Sequence, residues 1–157
     1  MIKVLIALLV LLIGISSGAV PDGYYNHHAK VLLTPEKIVS FLEEINYSAQ
    51  YVVNVFDCTQ IAAHCEYRLE NMGVETELAL SNVEPHMFIR CNTTEGWIPF
   101  ETCEESGHVF PIRNKNNFHY NTTNFADIYE AIGGCAEDEQ ALNWWNTTII
   151  WRNQDGN

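Results

Sequence analysis

Three residues in this chain have side chains and settings that together could do acyl chemistry. Cys58 stands where a helix begins, His86 where a strand begins, and Glu101 near the end of the next strand. A thiol needs a proton partner to serve as a steady nucleophile, and an imidazole needs an acceptor that holds its tautomer and steadies its charged form. With those roles filled, the sulfur can act as a nucleophile. Each residue alone is weak. A lone strand histidine is usually structural, a surface glutamate is usually solvated, and a cysteine in an exported chain is often half of a disulfide. The chemistry depends on the elements that would bring the three together.

The element carrying the thiol is the clearest. From Val55 to Gly73 the chain reads as one amphipathic helix with Cys58 in its first turn. Cys58, Ile61, Ala62, Cys65, Leu69 and Met72 recur at helical spacing and form a face for burial. Asp57 suits the N-cap and Gly73 the C′ position. A thiol at a helix N-terminus feels the positive end of the macrodipole, which favours its ionised form. An earlier helix opens at Thr34-Pro35-Glu36, with Thr34 as cap and Pro35 in the first turn, and packs through Ile38, Val39, Phe41, Leu42 and Ile45.

Strands should supply the other two groups. Val74 to Leu80 alternates at period two, and His86–Cys91 and Trp97–Thr102 read as two further strands joined across Asn92–Gly96. If the loop is the four residues Asn92 to Glu95, Cys91 faces Gly96 and His86 faces Glu101. Pro99 then faces Phe88, and because proline has no N–H for the ladder that pair should not be hydrogen-bonded. His86 and Glu101 fall in the same class, with Cα atoms about 4.5 Å apart and side chains on one face. A five-residue loop would instead set His86 against Thr102.

Composition bounds the rest. Lys3, the apolar run Val4–Ile15 and the small residues Ser17-Gly18-Ala19 read as an export leader, residues 1–19, leaving one domain over 20–157. The alternative is an uncleaved segment that anchors the chain. Loss of Lys3 leaves seven basic against twenty acidic residues, a charge of −13, which argues against nucleic acid as a partner. Export makes Asn46, Asn92, Asn121 and Asn146 candidate N-glycan sites, each in an Asn-x-Ser/Thr sequon. Five cysteines leave at least one unpaired. With Cys58 free, the two-bridge schemes are 65–91 with 103–135, or 65–103 with 91–135. Cys103–Cys135 is the pairing expected, and Cys65 on the buried helix face serves equally as a core thiol. No cofactor or metal site is expected, since neither Cys103 with His108 nor His86 with Cys91 forms a paired short-spacing motif, and the adjacent His27-His28 lacks further ligands.

Past residue 103 the chain is a less regular extension. Phe125–Ile132 reads as a short helix ended by Gly133-Gly134, a second helix follows from Glu137 toward Trp144-Trp145, and Ile149–Trp151 reads as a last strand. Ala49–Phe56 fits either helix or strand and leads into Cys58, so Gln50, Tyr51 or Asn54 could lie near the thiol.

The order Phe56-Asp57-Cys58-Thr59, His86-Met87-Phe88 and Gly96-Trp97-Ile98-Pro99-Phe100-Glu101 resembles the transglutaminase-like superfamily, the papain-like group with Cys, His and acid in that sequence. It is most similar to secreted prokaryotic, particularly archaeal, members. The resemblance covers about residues 50–102, and the tail shares it loosely through Asp127-Ile128-Tyr129-Glu130 and Trp144-Trp145. Thr59, Phe88 and Glu101 depart from animal enzymes, which carry tryptophan after the cysteine, and from the commoner tryptophan and aspartate. The resemblance implies an α+β fold in which the Cys-led helix packs on a small antiparallel sheet, with a core at about 34–102. It implies a secreted or cell-surface thiol enzyme acting through a thioester on amide or peptide bonds of a protein or peptide, those of the cell envelope included, with Cys58, His86 and Glu101 catalytic. Hydrolysis is favoured over cross-linking. The alternative is an inactive secreted or cell-surface binding module on the same fold. A third reading places Cys58 in a structural disulfide.

Overall fold

The structure, a computed structural model, describes residues 30–45, 57–103 and 108–134. The leader, Asn46, the Ala49–Phe56 segment with Gln50 and Asn54, Cys135, the second tail helix with Trp144-Trp145, Asn146 and the Ile149–Trp151 strand lie outside the described residues.

The fold is α+β. Helix α1 spans Pro35–Glu43, helix α2 Cys58–Asn71 and helix α3 Ile128–Gly134; the strands are β1 (Thr76–Ser81), β2 (Met87–Thr93), β3 (Gly96–Glu101), β4 (Phe110–Pro111) and β5 (Thr122–Phe125). They form one antiparallel sheet in the order β4-β3-β2-β1-β5. Helix α2 lies on β1 and β2 at the middle of that sheet.

Both ends of α2 are fixed by local chemistry. Asp57 accepts the Thr59 N–H at 3.0 Å while Gln60 Oε1 accepts the Asp57 N–H at 2.9 Å, a reciprocal capping box. At the far end Gly73 takes φ +84°, and Val74 N–H reaches Leu69 O while Gly73 N–H reaches Glu70 O. That Schellman pair closes the helix and needs the left-handed conformation glycine supplies. Ile61, Ala62, Cys65 and Leu69 are buried against Leu78, Ile89, Cys91, Ile98 and Phe100 of the sheet. Met72, assigned to the buried stripe by spacing, is 42 % exposed because it caps the helix beyond its last packed turn.

The β2–β3 hairpin is tighter than the polar run Asn92–Gly96 implies. Thr93 pairs with Gly96, so only Thr94 and Glu95 stand at the tip, and Gly96 adopts φ +91°. The Thr93 hydroxyl accepts Glu95 N–H at 3.0 Å and donates to Gly96 O at 2.8 Å, which closes the turn two residues early. Asn92 stays in the strand because its amide donates to Glu75 Oε2 at 2.9 Å. Phe100 therefore faces Ile89 and Pro99 faces Arg90, and the expected pairings of His86 with Glu101 and of Phe88 with Pro99 do not occur. The partner of every residue moves by two, not one, so the face on which each side chain stands is unchanged. Pro99 turns its carbonyl to Ile112 N–H at 2.8 Å, away from β2, so it still costs the β2–β3 ladder no bond.

Cys58, Cys65, Cys91 and Cys103 are thiols and take part in no disulfide. The expected bridge from Cys103 to Cys135 is thus not formed, and neither scheme pairing Cys65 or Cys91 applies. Cys65 and Cys91 are buried among the apolar side chains between α2 and the sheet, where each serves as a small core residue.

Candidate functional site

Alternation along β2 and β3 sends Ile89 and Phe100 toward α2 and leaves Phe88 and Glu101 on the opposite face. His86 precedes β2 by one residue and shares the Phe88 side. It meets Glu101 diagonally across the two strands, a separation long side chains can span. His86 Nε2 lies 2.7 Å from Glu101 Oε2. Because His86 is at the end of the sheet, it is also reached from the helix side: the Cys58 thiol is close enough to favour the charged form of its ring. Cys58 is partly exposed at the start of α2, where the capping box fixes the first turn. Thus the structure brings together all three residues singled out by chemistry and order.

It adds a fourth that spacing did not reveal. A 3-10 turn at Phe118–Tyr120 lies over this face and buries His119, whose Nε2 is 3.0 Å from the same Glu101 Oε2. Asn117 caps the turn, its Oδ1 taking the His119 N–H at 3.1 Å and facing Nδ1 at 2.6 Å. The His119 ring packs on Phe88 at 4.4 Å and stacks on Phe118 at 4.0 Å, and the His86 ring stands 5.7 Å from Phe88. Phe88 is fully buried as the floor beneath both imidazoles. No short motif announces His119, since it comes from a segment 18 residues beyond Glu101. The Asn-x-His pattern of a capped turn is the one local sign.

Glu101 is held on every side. Its Oε1 accepts the backbone N–H groups of Thr102 and Cys103, each at 2.9 Å, leaving Oε2 for the two imidazoles. Burial alone would raise its pKa, but hydrogen bonds from His119 and His86, the His86 charge and the Cys103 N–H outweigh that and bring it to about 2. Burial likewise opposes charge on His86, yet hydrogen bonds with Cys58 and Glu101 and the Glu101 charge prevail, raising it to about 10. The Cys103 thiol is pushed up to about 12 by burial, with Cys58 and Glu101 adding to the effect.

His86, Glu101 and His119 also form a group whose ligand atoms could hold a metal ion. Of the candidate glycan sites, Asn121 is exposed while Asn92 is half-buried in β2. No helix among the described residues is long and apolar enough to cross a membrane. Comparison with protein-family models, with curated proteins and with solved structures finds no significant match.

Proposed function

We propose that the chain is a transglutaminase-like thiol enzyme that cleaves amide or peptide bonds through an acyl-enzyme on Cys58, working outside the cell on a protein or peptide. The observation that carries this reading is the His86–Glu101 pair at 2.7 Å, with the Cys58 sulfur at a helix N-terminus and close enough to favour the charged imidazole. The fold is of the expected kind, a Cys-led helix on a small antiparallel sheet, and supports the same reading.

The raised His86 pKa refines the proton's path. At neutral pH the ring already holds its proton, so it begins as a donor to the sulfur and serves next as general acid. Sulfur forms the S–C bond, the tetrahedral oxyanion collapses, and the C–N bond breaks as His86 delivers its proton to the leaving amine. His86, now neutral, takes a proton from water as that oxygen attacks the thioester, and keeps it as the C–S bond breaks and the acid product leaves, so that the sulfur is again paired with the charged ring. Glu101 keeps the ring aligned through both steps and matches its charge. The Cys58 backbone N–H, at the helix start, would bind the oxyanion.

The test is acylation of the full chain by p-nitrophenyl acetate. The expected result is a burst of one nitrophenolate per chain that disappears in Cys58→Ala and falls at least 100-fold in rate in His86→Ala. A burst unchanged in Cys58→Ala would overturn the reading, and no burst at any pH between 6 and 9 would favour the binding module.

A further inference from the structure

Three lone-pair atoms from separate segments converge beside the end of β3. His86 Nε2 and His119 Nε2 approach one oxygen, Glu101 Oε2, at 2.7 and 3.0 Å, and all three lie within 4.8 Å of one another. The His119 ring is oriented from behind. Asn117 Oδ1 accepts the His119 backbone N–H, so it is the amide oxygen, not the NH2, that stands 2.6 Å from Nδ1. Nδ1 therefore carries a hydrogen, and in the neutral ring Nε2 presents its lone pair. A histidine with Nδ1–H on an outer acceptor and Nε2 turned inward is the usual preparation of an imidazole for a metal. Two lone pairs do not face each other at 3.0 Å without a cation between them, and that cation is either a proton or a metal ion.

The carboxylate is prepared in the same way. Thr102 and Cys103 N–H groups bind Oε1 and direct Oε2 at the imidazoles. Metal–ligand bonds of about 2.0–2.2 Å at angles of 90–110° separate neighbouring ligand atoms by about 2.8–3.6 Å; Oε2 stands 2.7 and 3.0 Å from the two imidazole nitrogens, and an ion would draw those nitrogens, within 4.8 Å of each other, into the same range. The His119 and Glu101 side chains are 6 % and 9 % exposed, and His86, at 19 %, marks the side from which an ion enters. Two imidazoles and one carboxylate suit a first-row divalent transition ion with open positions for water.

We propose that His86, His119 and Glu101 form a mononuclear site for a divalent transition cation, for which Zn2+ is the probe. Cys58 is not among the three ligands; it meets His86 from the helix side. An ion here would take Glu101 away from His86, so metal and proton are alternative occupants and the bound ion switches the thiol chemistry off. That coupling rests on the thiol reading above, whereas the site does not.

Zn2+ binding by the full chain, measured by chelator competition, tests the site. The expected result is one Zn2+ per chain, weakened at least 100-fold in His119→Ala and about 10-fold in Asn117→Ala, where only the outer acceptor is lost. Binding should persist in Cys58→Ala, and the Co2+ form should lack a thiolate charge-transfer band. Circular dichroism checks folding, and His119→Gln, which fills the same space, replaces the alanine variant if that does not fold. Absence of stoichiometric binding, binding indifferent to His119, or binding lost in Cys58→Ala would each overturn the site. Zn2+ should also slow iodoacetamide reaction at Cys58 at least fivefold; a bound ion without that effect would retain the site and overturn the coupling.

Discussion

Replacement of Glu101 by glutamine keeps the shape of the side chain and removes its charge. Glutamine can still accept the Thr102 and Cys103 N–H groups at the oxygen, which turns its NH2 toward His86 and His119. His119 can accept from that group through Nε2. What is lost is the carboxylate that holds the proton on His86. A charge-assisted hydrogen bond contributes about 1.5–3 kcal/mol, and breaking a fully buried pair costs about 3–5. Because His86 retains some access to water, we expect a loss of roughly 2 kcal/mol near neutral pH. The pH dependence is more discriminating than the size. His86 rises from 6.5 to about 10, so its share of stability is complete below pH 6.5 and drains away as pH climbs toward 10. Glu101 falls from 4.5 to about 2, so its share is complete above pH 4.5 and drains away as pH drops toward 2. The difference between wild type and variant should therefore form a plateau between pH 4.5 and 6.5 and decline on both sides. A group protonated only in the folded state tilts stability by about 1.4 kcal/mol per pH unit, and solvent screening should leave about half that slope above pH 7. Urea unfolding followed by tryptophan fluorescence, at intervals from pH 3 to 9.5 with EDTA present, measures both features. A difference that is flat across the range, or absent, would refute the charged pair as drawn.

Native protein treated with iodoacetamide at pH 8 should be alkylated at Cys58 ahead of Cys65, Cys91 and Cys103. Burial raises the pKa of Cys91 and Cys103, and Cys65 is buried. Peptide mapping that finds Cys103 modified first would contradict this. Asp57→Ala removes one half of the capping box and should cost about 1 kcal/mol in urea unfolding, while slowing Cys58 acylation more than a Glu70→Ala change at the other end of α2. Gly96→Ala introduces a Cβ that meets no atom within 4 Å, so its cost, about 1 kcal/mol, comes from the φ of +91° alone. A loss below 0.3 kcal/mol would mean the turn relaxes. Phe88→Ala should cost about 3–5 kcal/mol and impair both imidazoles, since their rings rest on it.

What could be read in the sequence was what neighbouring residues decide. The ends of α2 follow from Asp57 and Gly73, both within a few residues of the bonds they make, and α1 opens at Thr34 and Pro35 for the same reason. The shared face of His86 and Glu101 was legible only on the assumption of an even-length loop, since the missing N–H of Pro99 sets the class of its pair and not the loop length. The register itself was not, because the Thr93 hydroxyl closes the turn earlier than the polar composition of the loop implies. Strand β5, Thr-Thr-Asn-Phe, has three polar residues and no apolar alternation, and β4 has two residues, so neither carries a periodic signal. His119 escaped notice because nothing but the folded sheet brings the Phe118–Tyr120 turn over Glu101. The helical stripe made Cys65 legible as a core thiol, whereas the burial of Cys91 depends on the packing of α2 over the sheet.

The sharing of one carboxylate oxygen by two imidazoles has a dynamic consequence. In a site with a single imidazole, rotation of that ring toward a substrate strands its acid partner in a half-buried position, and the penalty restrains the motion. Here His119 is fixed by Asn117 and by stacking on Phe118, and it continues to satisfy Glu101 when His86 turns away. Glu101 can remain still while His86 moves. The second histidine thus lowers the cost of mobility in the first, giving the ring freedom to follow a leaving group without loosening the sheet that carries it.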